Sequence, residues 1–566
     1  MFGGTRFYGL RGTKLNVAIG VIAGLDFLLF GYDQGVMGGL LTLESFVAVF
    51  PEIDTRGESG TSNRATTQGI SIASYNLGCF LGAVVCIWLG QYLGRRRTIF
   101  LGSAIMVVGA VLQTAAFGLT QLIIGRIITG IGNGLNTSTV PTWQSETSKS
   151  HKRGQMVMIE GALITGGIMI SYWIDFGFSF LEPSTITWRF PIGFQIFFAL
   201  IILVFILGLP ESPRWLILKG REDEAVAVLS ALSDLPPDDE YIISEFSAIK
   251  ESVLETAAGT FSEVFTMGKD RNFHRAALGY VNQVFQQISG INLITYYAAT
   301  IYENEIGLSP FLSRILAACN GTEYFLASWI PVFLIEKIGR RPLMLFGAVG
   351  MSLSMVVLAA ATSVGGSAPG VVAAVFLFVF NTFSYTPLER QLTIDIVVAI
   401  GWLGMTWLYP SEIVPLRIRA PSSALSTSAN WIFNFMVVMV TPVAFDTIGY
   451  KTYIIFAVIN AFIVPCVYFF YPETAYRSLE EMDEIFHKTT GAFDVVSVAR
   501  PANTPHRYDK NGRLLISYLE TEEHRRRASA TQPGVKGIDE IENKERSTHN
   551  EAYQTEGGFA ASEKSL

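Results

Sequence analysis

The chain has 566 residues, of which 50% are hydrophobic and only 16% charged, with a formal net charge of −7. Soluble domains carry roughly 25% charged residues, so the composition excludes an ordinary soluble fold and points to a polytopic membrane protein. The acidic balance is spread over loops and tails and says nothing of nucleic acid. Cys79, Cys86, Cys319 and Cys466 lie in apolar segments without metal spacing or a disulfide framework.

Residues 1–16 are basic, with Arg6, Arg11 and Lys14. The apolar run that follows, 17–41, is too long for a signal-peptide core and lacks a convincing cleavage site, so it reads as a retained first span. Inside it, LLFGYDQGVMGGL places Asp33 among Gly31, Gly35, Gly38 and Gly39. An aspartate at bilayer depth costs about 2.5–3.5 kcal/mol on insertion scales, so this acid needs a partner or a task. The glycines would let the helix bend and let neighbours approach.

Further apolar windows fall at 69–90, 98–117, 121–143, 156–178, 191–209, 276–301, 311–335, 343–363, an interrupted one within 371–409, 422–445 and 451–471. With the first, these make twelve spans. The fold class is all-α, with six-helix halves at 1–209 and 276–487. A linker with short helices occupies 210–275, where EDEAVAVLSAL has helical periodicity. The polar tail, 488–566, reads as disordered and cytoplasmic. Lys and Arg cluster in alternate connections (Arg95–Arg97; Lys149, Lys152 and Arg153; Arg214 to Arg221; Lys337 to Arg341; Arg417 and Arg419). The positive-inside rule puts these loops and both termini in the cytoplasm. Asn136 and Asn320 begin glycosylation sequons, but both lie inside spans.

The chain repeats itself. LGRRRT at 93–98 returns as IGRRPL at 338–343, PTWQSE at 141–146 as WLYPSE at 407–412, and PESPR at 210–214 as PETAYR at 472–477. Glu146 stands seven residues before Arg153, and Glu412 seven before Arg419. A parallel repeat of two six-span halves is a secondary-transporter layout, with substrate held between the halves near the membrane midplane. Arg95, Arg96, Glu146, Arg153 and Glu211, echoed by Arg340, Arg341, Glu412, Arg419 and Glu473, fall at the cytoplasmic helix ends. There, guanidinium–carboxylate forks can act as a latch between neighbouring helices. The plainer alternative is that these arginines merely obey the topology rule.

Taken in order, GRRRT, PTWQSET, HKRG, PESPRWLILKGR, QQISGIN, EKIGRRP, WLYPSEIVPLRIRA and YPETAYRSLEEMD resemble the sugar porter family of the major facilitator superfamily, over about 10–490. NGLNTSTVPTWQSETSKSHKRG and YWIDFGFS are similar to its fungal members, near the glycerol–proton symporters and the hexose and pentose carriers. The resemblance implies sugar hydroxyls on Gln286, Gln287 and Asn292, and an extracellular gate at Tyr296 and Tyr297. It implies further contacts from Asn320, Trp407, Asn430, Trp431 and Asn434. The residue chemistry agrees, since amides donate and accept at once and aromatic faces cover the apolar side of a polyol. Inter-helix hydrogen bonding is the alternative for each amide.

Two departures stand out. The fifth-span glutamine expected from the family falls at Gly161, with Glu160 beside it, which weakens plain hexose selectivity and leans toward polyols. The acid of the first-half loop motif is replaced by Gln91, whereas the second half keeps Glu336, so the two latches should differ in strength. In addition, 52 residues separate Gly94 from Glu146 but 73 separate Gly339 from Glu412. The surplus sits at SYTPLERQLTIDIVV, 384–398, a charged stretch in the middle of a span. It reads as a translated intron or gene-model error, the alternative being a real insertion.

Similar proton-coupled porters pair an acid and an arginine at the positions of Asp33 and Arg126. Alternation between a paired and a desolvated carboxylate can couple protonation to the cycle. A static ion pair is the alternative, and Asp26 and Glu160 are the other candidate acids. The expectation is therefore a proton-coupled importer of a sugar or polyol in the plasma membrane. It should act as a monomer in the lipid bilayer, with no cofactor or metal and no enzymatic activity. An uncoupled facilitator and a non-transporting nutrient sensor are the competing readings.

Overall fold

The computed structural model describes residues 6–55, 61–147, 153–257, 261–385, 402–477 and 479–504. Among these there are helices and no strands. The first six spans are Gly12–Leu40, Thr61–Leu93, Arg95–Thr114, Leu119–Thr147, Arg153–Ser179 and Ile186–Ile206. The seventh comes in two pieces, Asn272–Ile288 and Ile291–Thr300, followed by Pro310–Ile338 and Arg340–Val364. The tenth also comes in two, Ser367–Tyr385 and Trp402–Ile413, before Leu416–Ile448 and Lys451–Phe470. Among the described residues, eight helices are individually long and apolar enough to cross a membrane. The broken seventh and tenth spans and the eighth, Pro310–Ile338, are not among them. Nor is the fourth, whose interior is rich in Gly, Thr and Asn because it faces other helices rather than lipid.

Glycine sets the distances between helices. A Cβ at Gly31 would lie 1.8 Å from the Ile164 carbonyl oxygen, so the first and fifth spans touch backbone to backbone. A Cβ at Gly130 would lie 2.2 Å from the Tyr75 oxygen, which fixes the second against the fourth. GRIITGIGNG is thus a packing surface. The first helix runs unbroken from Gly12 to Leu40, so its glycines serve close approach and not a bend.

The linker carries Pro213–Leu218, Glu222–Ser233 and Glu240–Ala257. Ser212 caps the first of these by accepting from the Trp215 amide at 3.2 Å. Arg11 pairs with Asp234 at 3.1 Å, and Asn16 donates to the Leu232 carbonyl at 3.0 Å. A helix at Leu479–Lys488 sits under the seventh span, where the fully buried Arg275 pairs with Asp483 and lies 4.4 Å over the Phe486 ring. The start of the first span, the linker and this helix therefore share one end of the bundle with the basic loops, here called the basic end.

Order extends past residue 488, where the composition suggests disorder. Asp494 accepts from the Thr490 and Gly491 amides, Val495–Val498 forms a helical turn with Val495 buried, and Phe493 lies 4.8 Å from Phe470. Residues 505–566 lie outside the described residues, as does all of 384–398 except Ser384 and Tyr385. The two pieces of the tenth span hold 19 and 12 residues, against 29 in the unbroken fourth. Together they make one span's worth of helix.

Candidate functional site

The break in the seventh span builds the centre of the second half. Gly290 has φ +100°, and a Cβ there would meet the Met355 methyl at 2.8 Å, so glycine is required on both counts. The carbonyl freed at Ser289 accepts from Asn460 of the twelfth span at 2.7 Å. Around this break runs a chain of buried amides. Asn430 donates to Gln283 at 2.7 Å and to Gln286 at 3.2 Å. Gln287 donates to Gln286 at 2.8 Å, and Asn292 donates to Gln287. Gln283 in turn donates to the Thr406 carbonyl at 2.9 Å, and Asn282 to that of Met405 at 3.2 Å. Gln286, Gln287, Asn292 and Asn430 are thus brought together as expected. Gln283 was missed, although its place one helical turn before Gln286 was a usable signal.

The other expected ligands are distributed differently. Asn320 accepts from Asn381 of the tenth span at 2.8 Å and stands apart from the amide chain. Asn434 accepts from Asn76 of the second span at 3.0 Å, and Tyr296 donates to the same Asn76 at 3.1 Å. Tyr297 donates to the Val438 carbonyl at 2.8 Å. Trp431 is fully buried, with Phe30 at 5.3 Å and Tyr75 at 6.5 Å edge-on, while Trp407 is half-buried. Tyr172 donates to the Thr295 carbonyl at 2.9 Å, and Arg314 to the Thr42 carbonyl at 2.6 Å. These bonds tie the two halves together on the side of the midplane away from the basic end. Asn76 gave no motif in the sequence, and Tyr172, although it opens YWIDFGFS, gave no sign of this role.

Asp33 and Arg126 are both buried in the first half. Arg126 donates to the Ile72 carbonyl at 3.0 Å and lies 5.3 Å from the Tyr75 ring centre. It supplies the opposite charge acting on Asp33, beside which the Tyr75 hydroxyl also sits. No ion pair closes between Asp33 and Arg126 among the described residues, and Asp33 Oδ2 has no hydrogen-bond partner there. The expected pair is therefore brought together in an open arrangement. Asp26 and Glu160 lie nearer the basic end, away from Arg126.

At the basic end the two halves are built alike. Arg95 makes a fork with Glu146, Nε–Oε2 at 2.9 Å and Nη2–Oε1 at 3.0 Å. Glu211 accepts from the Arg95 and Arg96 amides at 3.0 and 3.2 Å, and Arg96 donates to the Leu207 and Leu209 carbonyls at 2.9 Å each. In the second half Arg340 forks onto Glu412 at 3.2 and 2.8 Å, and Glu473 accepts from the Arg340 and Arg341 amides at 2.8 and 3.0 Å. Arg341 donates to the Tyr468 carbonyl at 2.8 Å. Burial pushes the Glu211 carboxyl up, and its amide donors oppose that shift. One correspondence was missed. Trp143 donates to the Pro210 carbonyl at 3.0 Å, and Tyr409 to that of Pro472 at 3.0 Å, each aromatic three residues before its glutamate. These forks join helices within a half. Arg419 donates to the Val414 carbonyl at 3.1 Å. The side chains of Arg153, Glu336 and Gln91 lie outside the described residues.

The family model described as "Sugar (and other) transporter" matches residues 18–486. The chain belongs to that family. A member of the sugar transporter family is a membrane carrier and not an enzyme. The chain is 42% identical over 492 residues to the sugar transporter STL1 of Saccharomyces cerevisiae, covering 86% of this chain and 83% of that protein. It is 40% identical over 490 residues to the MFS-type transporter oryC of Aspergillus oryzae, covering 85% and 87%. The inward-open xylose transporter XylE of E. coli superposes with a TM-score of 0.65 at 25% identity, covering 83% of this chain and 99% of that one. A structure of the proton:xylose symporter XylE bound to 6-bromo-6-deoxy-D-glucose superposes with a TM-score of 0.69 at 23% identity, covering 84% and 100%. These superpositions show the two-half, twelve-helix fold. Among the described residues no cluster of three or more His, Cys, Asp and Glu is placed to hold a metal ion.

Proposed function

We propose that this sugar transporter family member imports a sugar or polyol by alternating access, driven by protons. The observation that carries the substrate class is the amide chain Gln283–Asn430–Gln286–Gln287–Asn292 at the broken seventh span. Five amides in one line present donors and acceptors in mixed order. A polyol, whose hydroxyls both donate and accept, matches that order, while a charged substrate would need a counter-charge. Trp431 and Trp407 cover its C–H faces, and Tyr296 and Tyr297 close over it. The likeness to STL1, a sugar transporter, supports the same class.

Proton drive is supported by the open Asp33–Arg126 arrangement. Arg126 is occupied by the Ile72 carbonyl and the Tyr75 face. A carboxyl left free of its guanidinium in one state and paired in another binds and releases a proton once per cycle. The basic end, by the positive-inside rule, is cytoplasmic. The bonds among Asn76, Asn434, Tyr296, Tyr172 and Thr295 then form the extracellular closure, and the Arg–Glu forks brace the cytoplasmic base of each half. The plasma membrane is the site of such uptake, and the carrier works as a monomer.

The test is uptake of radiolabelled glucose, xylose, galactose and glycerol in a transporter-null yeast, with external pH recorded at the same time. Uptake accompanied by alkalinisation is expected for at least one of them. Uptake without alkalinisation makes the chain a facilitator. No uptake of any of the four by protein at the cell surface ends the transport reading.

A further inference from the structure

Nearer the basic end than Asp33, four helices converge on a buried polar nest that the sugar site does not use. Asp26 lies on the first span seven residues before Asp33, about 10 Å along the helix axis. Glu160 stands on the fifth span, which packs closely against the first here, Gly24 against Leu163 and Gly31 against the Ile164 oxygen, and the Asp26 charge acts on it. Asn136 of the fourth span donates to Asp26 Oδ1 at 2.7 Å and to the Ser103 hydroxyl of the third at 3.0 Å. All four residues are at least nine-tenths buried. The room is built in, since a Cβ at Gly102 would stand 2.1 Å from Asn136 Oδ1.

The nest has too many acceptors. Asp26 Oδ2 and Asn136 Oδ1 are buried without a partner among the described residues. Nor does it have a cation. Among the described residues Asp26 is the charged group acting on Glu160, while Asp26 itself is set by its burial and the Asn136 amide. The third and fourth spans contribute the neutral Ser103 and Asn136, and among the described residues no cation acts on either carboxyl. What the site lacks is a hydrogen atom. Two like-charged carboxylates in one apolar site cannot both remain ionised without great cost, and sharing one proton relieves both the repulsion and the shortage of donors. Glu160 is also the acid that stands beside the expected glutamine position.

We propose that Asp26 and Glu160 hold one proton between them, as a carboxyl–carboxylate pair, and so form a second proton station between Asp33 and the basic end. A proton that leaves Asp33 has this pair as its next acceptor on the way to the cytoplasm, with Asn136 orienting the Asp26 carboxylate. The occupancy of the pair stands on its own geometry, whereas its use in transport rests on the proton-coupled reading above.

The experiment is an infrared pH titration of the purified full-length protein in lipid nanodiscs, following the C=O band of protonated carboxyls. The expected result is a band lost in both Asp26→Asn and Glu160→Gln, kept in Asp33→Asn and recovered in Glu160→Asp. Size-exclusion profiles identify any variant that fails to fold, and either single variant suffices to decide. In whole cells both variants should lower proton-driven accumulation at least tenfold. A band that survives both substitutions, or one lost only in Asp33→Asn, overturns the proposal. Loss of the pair's band as expected, in a parent protein that shows no substrate-evoked proton uptake, sustains the pair and overturns the coupling.

Discussion

The Tyr296 hydroxyl donates to Asn76 Oδ1 at 3.1 Å, and the other end of the same amide donates to Asn434 at 3.0 Å. One asparagine of the first half thus holds both the gate helix and the eleventh span of the second. Asn76→Ala removes both bonds, and Tyr296→Phe removes one. At about 1 kcal/mol per bond, Tyr296→Phe should shift the closed-to-open equilibrium about fivefold, and Asn76→Ala further in the same direction. Distances between spin labels on the first and second halves, at the end away from the linker, check this. Equal distance distributions in parent and Asn76→Ala would remove the closure from Asn76.

Gln283 accepts from Asn430 and donates to the Thr406 carbonyl, so it orients the amide chain from below. Gln283→Ala should raise the KM for the transported sugar about tenfold, in line with the cost of orphaning buried hydrogen-bonding groups. Gln286→Ala should have a comparable effect. Initial-rate uptake over a range of substrate concentrations measures both. An unchanged KM in Gln283→Ala would show that Asn430 holds its position without it.

Asp33→Asn removes the titrating group but preserves its shape. Substrate-evoked alkalinisation should disappear, and accumulation against a gradient with it, while exchange of labelled for unlabelled sugar continues. The linkage has one sign: a carboxyl must take up its proton from the outer side, so accumulation in the parent falls as external pH rises. Proton uptake persisting at the parent's rate in Asp33→Asn would exclude Asp33.

Trp143 and Tyr409 occupy equivalent places and donate to equivalent proline carbonyls. Tyr409→Phe keeps the ring and loses the bond, leaving the buried Pro472 carbonyl without it. The cost is about 1 kcal/mol. Thermal unfolding in detergent should show a lower midpoint for Tyr409→Phe, and a drop of similar size for Trp143→Phe after allowing for the smaller ring. The same midpoint in Tyr409→Phe and parent would show that the base of the second half is held by the Arg340–Glu412 fork and the Glu473 bonds without Tyr409.

The two pieces of the tenth span add up to one span's worth of helix. A variant lacking 384–398 should therefore close the helix and transport at least as well as the full chain. Sequencing the transcript is the companion measurement. A message in which most reads carry codons 384–398, with no transport by the shortened variant, would establish the segment as part of the working protein.

Much of this was legible in the sequence because it is local or repeated. Asp33 announced itself by its cost in an apolar run, and the GRR, Ser-Glu and Pro-Glu repeats gave the base of each half before any contact was known. QQISGIN gave the amides of the seventh span, whereas the break at Gly290 inside it reads as continuous helix over 276–301. What could not be read was which partner each polar group takes. Asn434 and Asn320 are amides in spans like Gln286, yet they pair with Asn76 and Asn381, because only the packed bundle decides which faces meet. Asn76 lies in an ordinary apolar stretch, and Tyr409 and Trp143 differ in residue type, so neither comparison of letters nor periodicity flags them. The glycines around Asp33 suggest a bend by their propensity alone, but the hydropathy pattern cannot distinguish a flexible helix from one in close contact.

The Arg–Glu forks stay within their own halves, and this bears on where the work of the transport cycle is done. Each brace lies inside one half, so moving one half against the other does not require breaking it. What must be undone at the far end is a small set: Tyr296 on Asn76, Asn76 on Asn434, Tyr172 on Thr295, Trp173 on Thr322, and two bonds from Arg314 to Thr42. At about 1 kcal/mol each these sum to about 6 kcal/mol. Reversing a two-state population from 1:99 to 99:1 takes about 5.5 kcal/mol. A bound sugar commands an energy of that size, so the carrier is poised where its own cargo can tip it.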